Sequence, residues 1–178
     1  MRVLSILKSC VVVSLFAFAT CSFADSADNN INNSIISKLS ADQSLAGTNI
    51  SVKTDQGIVS LTGNVDSDTQ AAAATQIAQS TLHVKDVHTN DLTIKGSQHI
   101  VADTIISAKV RGMFIQKKLF GDKDVAAISI NIETNNGTVS LSGTADNKKE
   151  IDNAIIIAKS VSGVKSVNSS VTVVPVTQ

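Results

Sequence analysis

The chain reads as an α+β protein built from two copies of one small domain, each a three-stranded mixed sheet with two helices packed on one face, in the order α-β-β-α-β. Three observations predict this. Gly57-Ile58-Val59-Ser60-Leu61-Thr62-Gly63 recurs as Gly137-Thr138-Val139-Ser140-Leu141-Ser142-Gly143, 80 residues on. Around it, about 20 of 53 positions are identical from Ile35 and Ile115 to Val87 and Val167 without a gap, more than a shared turn type explains. Inside it, Val and Leu alternate with Ser and Thr, which places the apolar pair on one face of a half-buried strand.

The elements follow in order. Ile31, Ile35 and Leu39 recur at helical spacing and predict a first helix facing the sheet, after a solvated Asp/Ser/Asn stretch. Ile50 and Val52 mark a strand. Asp55-Gln56-Gly57 is read as a three-residue hairpin connection, as is Asn135-Asn136-Gly137, so the flanking strands are antiparallel. From Ser67 to Thr81, Ala71, Ala74, Ile77 and Ala78 form a small-residue helical stripe suited to close approach, with Asp66 and Asp68 at its N-terminus. Leu92 and Ile94 mark a third strand, parallel to its neighbour because a helix carries the crossover. The second copy repeats the order with Ile130 and Ile132, Val139 and Leu141, a helix over about 147–160 and a strand from Ser169 to Val174, ended by Pro175.

The 178 residues divide accordingly into a leader over 1–24, a first domain over 25–94, a linker over 95–100 and a second domain over 101–178. In the leader, Arg2 and Lys8 precede an apolar run from Val11 to Ala19, and Ser22-Phe23-Ala24 ends in the small-x-small pattern of a cleaved secretory signal. The run is too short for a comfortable transmembrane span. Both cysteines, Cys10 and Cys21, lie in the leader, so a chain cut after Ala24 has no thiol, and the reading is a periplasmic protein. The rival reading is a lipoprotein anchored at Cys21, although Thr20 and Phe18 depart from that processing pattern.

The helical stripe with Ile77-Ala78 or Ile157-Ala158, the repeated glycine-bracketed strand and the closing Gly163-Val164-Lys165-Ser166-Val167-Asn168 together resemble the BON domain. Two such domains behind a signal peptide resemble the tandem BON proteins of the periplasm. The first copy departs where Leu82-His83-Val84 replaces the glycine-valine step and where one extra residue, expected in a loop, stands between Val87 and Leu92. The resemblance implies a stress-related envelope protein with phospholipid-binding or chaperone-like activity, and it brings no catalytic residues.

Composition narrows the chemistry. The first domain has a balance of −5 and the second of +2. That weak positive charge, with no Trp or Tyr, argues against nucleic acid. His83, His88 and His99 lack the spacing and acidic companions of a metal site, so no metal or other cofactor is expected. The glycine pairs bracket strands instead of opening helices, no serine sits in a nucleophile elbow, and an enzyme is not expected.

One segment stands out, the helix over 101–120. On a helical wheel Val101, Ile105, Ala108, Gly112, Ile115 and Leu119 form one stripe, read as the core face because the ungapped repeat aligns Ile115 and Leu119 with Ile35 and Leu39. Nearly opposite lie Ile106, Val110, Met113 and Phe114, edged by Lys109, Arg111, Lys117 and Lys118, with Phe120 beside them. The ungapped counterparts of these four apolar residues and of Lys117, on the same side, are Ser26, Asn30, Asn33, Ser34 and Ser37 in the first copy. An outward apolar ridge edged by cations suits an anionic bilayer interface. The alternatives are packing against the acidic first domain, a groove for unfolded envelope proteins, and an assembly surface.

Overall fold

The computed structural model describes residues 23–96, 102–120 and 129–174; residues 1–22, which carry the cysteines and most of the leader, and His99 lie outside them. The order is α1 (Phe23–Ala41), β1 (Asn49–Asp55), β2 (Ile58–Val65), α2 (Asp68–Gln79) and β3 (Asp86–Ile94). A second round follows as α3 (Ala102–Phe120), β4 (Ser129–Asn135), β5 (Thr138–Ala145), α4 (Lys148–Ser160) and β6 (Ser166–Val173). Each round forms its own three-stranded sheet, with an antiparallel hairpin and a parallel third strand beside its second arm. The expected α+β architecture holds in both copies.

The alternation in the repeated strand sets the core. Val59 and Leu61 are buried with Ile31 and Ile35 of α1 and Ala74 and Ala78 of α2. Val139 and Leu141 occupy the same positions in the second copy, under Ala154 and Ala158 of α4. Small residues on α2 and α4 let those helices lie close to the strands. At the end of the motif a Cβ on Gly63 or Gly143 would fall on the carbonyl oxygen of Asn49 or Ser129, and both glycines hold positive φ, so the position admits no side chain.

Three local expectations are corrected. The hairpins have two-residue loops, since Asp55 pairs with Ile58 and Asn135 with Thr138. Both loop residues take positive φ, at Gln56 and Gly57 and at Asn136 and Gly137, the twist that matches the flanking strands. The cap of α2 is Ser67, whose hydroxyl accepts from Gln70 N, while Gln70 in turn accepts from Asp66 N; Asn147, Glu150 and Asp146 repeat the arrangement on α4. The extra residue after Val87 is absorbed inside β3 as a bulge, where pairing jumps from Ser60–His88 to Thr62–Asp91. Without that jump Leu92 would point away from the core, where it is now buried.

Candidate functional site

The site follows from how α3 is placed. In each copy an aspartate on the first helix caps the hairpin turn: Asp28 accepts from Gln56 N and Gly57 N, at 2.7 and 3.0 Å, and Asp103 accepts from Asn136 N and Gly137 N, at 2.6 and 2.8 Å. Asp28 precedes its turn glycine by 29 residues, but Asp103 precedes its own by 34. The second copy therefore carries five more residues between helix and hairpin, and the ungapped alignment fails over the helix. The structural counterparts of Ile31 and Ile35 are Ile106 and Val110.

The assignment of faces on α3 is thereby reversed. Ile106 and Val110, read as an outward ridge, are buried in the second copy's core, with Met113 and Phe114 half-buried against it. The stripe read as that core instead meets the first copy. Ile105 packs with Val65, Ala71 and Leu92, and Ala108 is buried. Gly112 faces α2 so closely that a Cβ there would stand 2.7 Å from Gln79 Cβ and 2.8 Å from the Gln76 carbonyl oxygen. Gln116 donates from Nε2 to the carbonyl oxygens of Thr81 and Val84, just past the end of α2. Leu119, assigned to the core face, is exposed. Val101 and the side chain of Phe120 lie outside the described residues.

The cations divide. Lys109, expected at a lipid surface, is buried: its Nζ lies 3.0 Å from Asp86 Oδ1 and 2.8 Å from Ser162 Oγ, and Ser162 donates to the same carboxylate oxygen at 2.9 Å. Burial alone would raise the carboxyl pKa of Asp86. The hydrogen bonds from Lys109 and Ser162, the Lys109 charge and the Val87 amide outweigh it and hold the carboxyl below its ordinary 3.8. Lys109 thus ties the copies together. Arg111, Lys117 and Lys118 are exposed, with Arg111 Nη2 donating to Ile132 O at 2.9 Å.

What remains open on α3 is its C-terminal half. There α2, α3 and β4 enclose an open cleft of about 240 Å³, floored by Phe114, Ile115, Ile130 and Ile132 and rimmed by Gln76, Arg111 and Lys118. An apolar floor beside two cations has the chemistry to hold an amphiphile with an anionic head. Sequence reasoning found Arg111, Phe114 and Lys118 but missed Gln76, Ile130 and Ile132, which other elements bring in. It also missed Asp86 and Ser162, 76 residues apart. Asp28 and Asp103 were findable, since each stands three residues before a core isoleucine.

Among the described residues, no group of three or more His, Cys, Asp or Glu is placed to hold a metal ion, and no helix is long and apolar enough to cross a membrane. His83 and His88 are both exposed, and His88 Nε2 lies 3.6 Å from Asp86.

The BON-domain pattern matches residues 27–96 and again residues 102–175. The chain belongs to the BON-domain family. The chain as a whole is similar to osmotically-inducible protein Y of Escherichia coli (strain K12), 34% identical over 151 residues, covering 80% of this chain and 70% of that protein. A protein of Anaplasma centrale, named for the gshII 5′ region, is 30% identical over 128 residues, or 70% of this chain and 81% of its own. Among solved structures, the C-terminal domain of CdsD, described as the structural protein of the type III secretion system of Chlamydia trachomatis, aligns at 17% identity with a TM-score of 0.34. That alignment covers 83% of this chain and 67% of that one, and its score is too low to bear on the reading. The two BON domains meet through α2 and α3, so the cleft belongs to neither alone.

Proposed function

We propose that this tandem BON protein is a non-enzymatic component of the periplasmic response to osmotic stress that contacts anionic phospholipid through its second domain. The likeness to osmotically-inducible protein Y supports the stress role, and the signal-like leader supports the compartment. One observation carries the lipid reading: the exposed cations Arg111, Lys117 and Lys118 lie along the C-terminal half of α3, whose apolar surface, the cleft and Leu119, no described element covers. Each basic side chain near an anionic surface adds about 1 kcal/mol, so three give about 3 kcal/mol, or roughly a hundredfold in partitioning. The lipid contact is therefore made by the C-terminal half of α3, with Ile106, Val110 and Lys109 supporting it from within.

Vesicle flotation with the full mature chain tests this. Combined Arg111→Glu, Lys117→Glu and Lys118→Glu should abolish partitioning onto anionic vesicles, and Leu119→Asp should weaken it, while all variants keep wild-type circular dichroism. Equal flotation of wild type and the triple variant removes the lipid reading. Suppression of client aggregation by a protein that does not float would move the same cleft to unfolded envelope proteins, and a change in mass alone to assembly.

A further inference from the structure

The two BON domains are covered unequally. On the first, α3 lies over one flank of α2: counted from its N-cap Ser67, this flank holds Thr75, Gln76 and Gln79, of which Thr75 and Gln79 are fully buried and Gln76 half-buried. Counted likewise from Asn147, the same flank of α4 holds Ile155, Ile156 and Lys159. No described element lies over it. Ile156 is 64% exposed, Lys159 is exposed and Ile155 is half-buried. The covered flank is thus the more polar of the two, and the open one carries exposed Ile156 beside Ile155, which is half-buried against the second copy's core.

The opposite end of the tandem shows the contrast. On α1, the counterparts of the docking residues Ile105, Ala108 and Gly112 are Asn30, Asn33 and Ser37, a polar face that ends the array. A second copy therefore has no apolar helix face at α1 to lay on α4 in the way α3 lies on α2. The flank of α4 is, however, complementary to itself. An antiparallel two-fold axis passing between Ile155 and Ile156 sets these isoleucines against their mates. It also places Asp152 of each copy across from Lys159 of the other, giving two ion pairs. Asp152 is half exposed, and its ion pair among the described residues is with exposed Lys148 of its own helix, at 3.3 Å, which it can exchange.

We propose that the Ile155–Ile156 flank of α4 is the contact through which two copies of this chain associate, helix against helix about a two-fold axis. The site is separate from the cationic end of α3, so the proposal stands or falls apart from the lipid reading. Sedimentation velocity on the full mature chain, from micromolar to millimolar concentration, is the test. Wild type should shift from one-chain to two-chain mass with rising concentration. Ile156→Asp, at an exposed position that leaves the fold intact, should raise the dissociation constant at least about tenfold, the loss expected on removing one apolar anchor. Asp152→Lys should weaken association, and Asp152→Lys with Lys159→Asp should restore it. A wild type that stays at one-chain mass throughout, an Ile156→Asp variant that still pairs, or a charge exchange that fails to rescue each overturns the proposal.

Discussion

At the scale of single residues, the two copies act as controls for one another. Gly163 turns the chain into β6 at φ 92°, and its counterpart His83 holds φ 68°, a conformation costing an L-residue roughly 1–2 kcal/mol. Glycine relieves that strain but also loosens the unfolded chain by about 0.5–1 kcal/mol, so His83→Gly should stabilise by roughly 0.5–1 kcal/mol, read from the urea midpoint. The departure at Leu82-His83-Val84 was legible in the sequence; that it is a strained backbone position was not, because φ is set by where the strand must begin. The turn-capping aspartates Asp28 and Asp103 had a positional signal in the sequence, but what they bind had none. Their partners are backbone amides, which every sequence carries alike.

At the scale of the element, α3 is a helix with two occupied faces. Gly112 marks the crossing with α2, and two effects compete in Gly112→Ala. The gain in helix propensity is about 1 kcal/mol. Against it, the new methyl meets the Gln76 carbonyl oxygen, which belongs to a backbone that cannot step aside, and overpacking of this kind costs about 1–3 kcal/mol or more. The clash wins. Gly112→Ala should lower the thermal midpoint or separate the domains, checked by calorimetry together with amide exchange over 68–79. The amphipathic pattern of α3 was plain in the sequence. Which stripe faces which partner was not, since two apolar faces are equivalent until the connection to β4 is known to be five residues longer than its counterpart. Coincidental matches at Ile115, Lys118 and Leu119 carried the strand alignment into the helix.

At the scale of the whole molecule, the domains are held by the α2–α3 crossing and by the Asp86–Lys109–Ser162 cluster. The folded Asp86 carboxyl has a depressed pKa, so its contribution is present above its ordinary value and lost as pH falls through the lower folded value. Asp86→Asn should cost roughly 1.5–3 kcal/mol at pH 7, the range for a hydrogen bond to a charged group, and the gap to wild type should narrow as pH falls below the carboxyl's ordinary 3.8 and through its lower folded value. Urea midpoints of both proteins across pH 2.5–7 check this; a gap constant with pH would mean that the charge of Asp86 does not hold the domains. The acidic first domain and basic second domain foreshadowed attraction between them, but the cation used is one that the sequence placed at a lipid surface.

The sequence by itself determined the elements and their repetition: the strands from alternation, the presence of the hairpins from their glycines, the helices from their stripes, the duplication from its spacing, and hence the family. Tertiary structure alone decided which face of α3 is core, which cation lies between the domains and which remain exposed, and which flank of α4 no described element covers. The physical reason is that periodicity says only that a face is to be buried. What buries it depends on the length of connections and on contacts between residues distant along the chain.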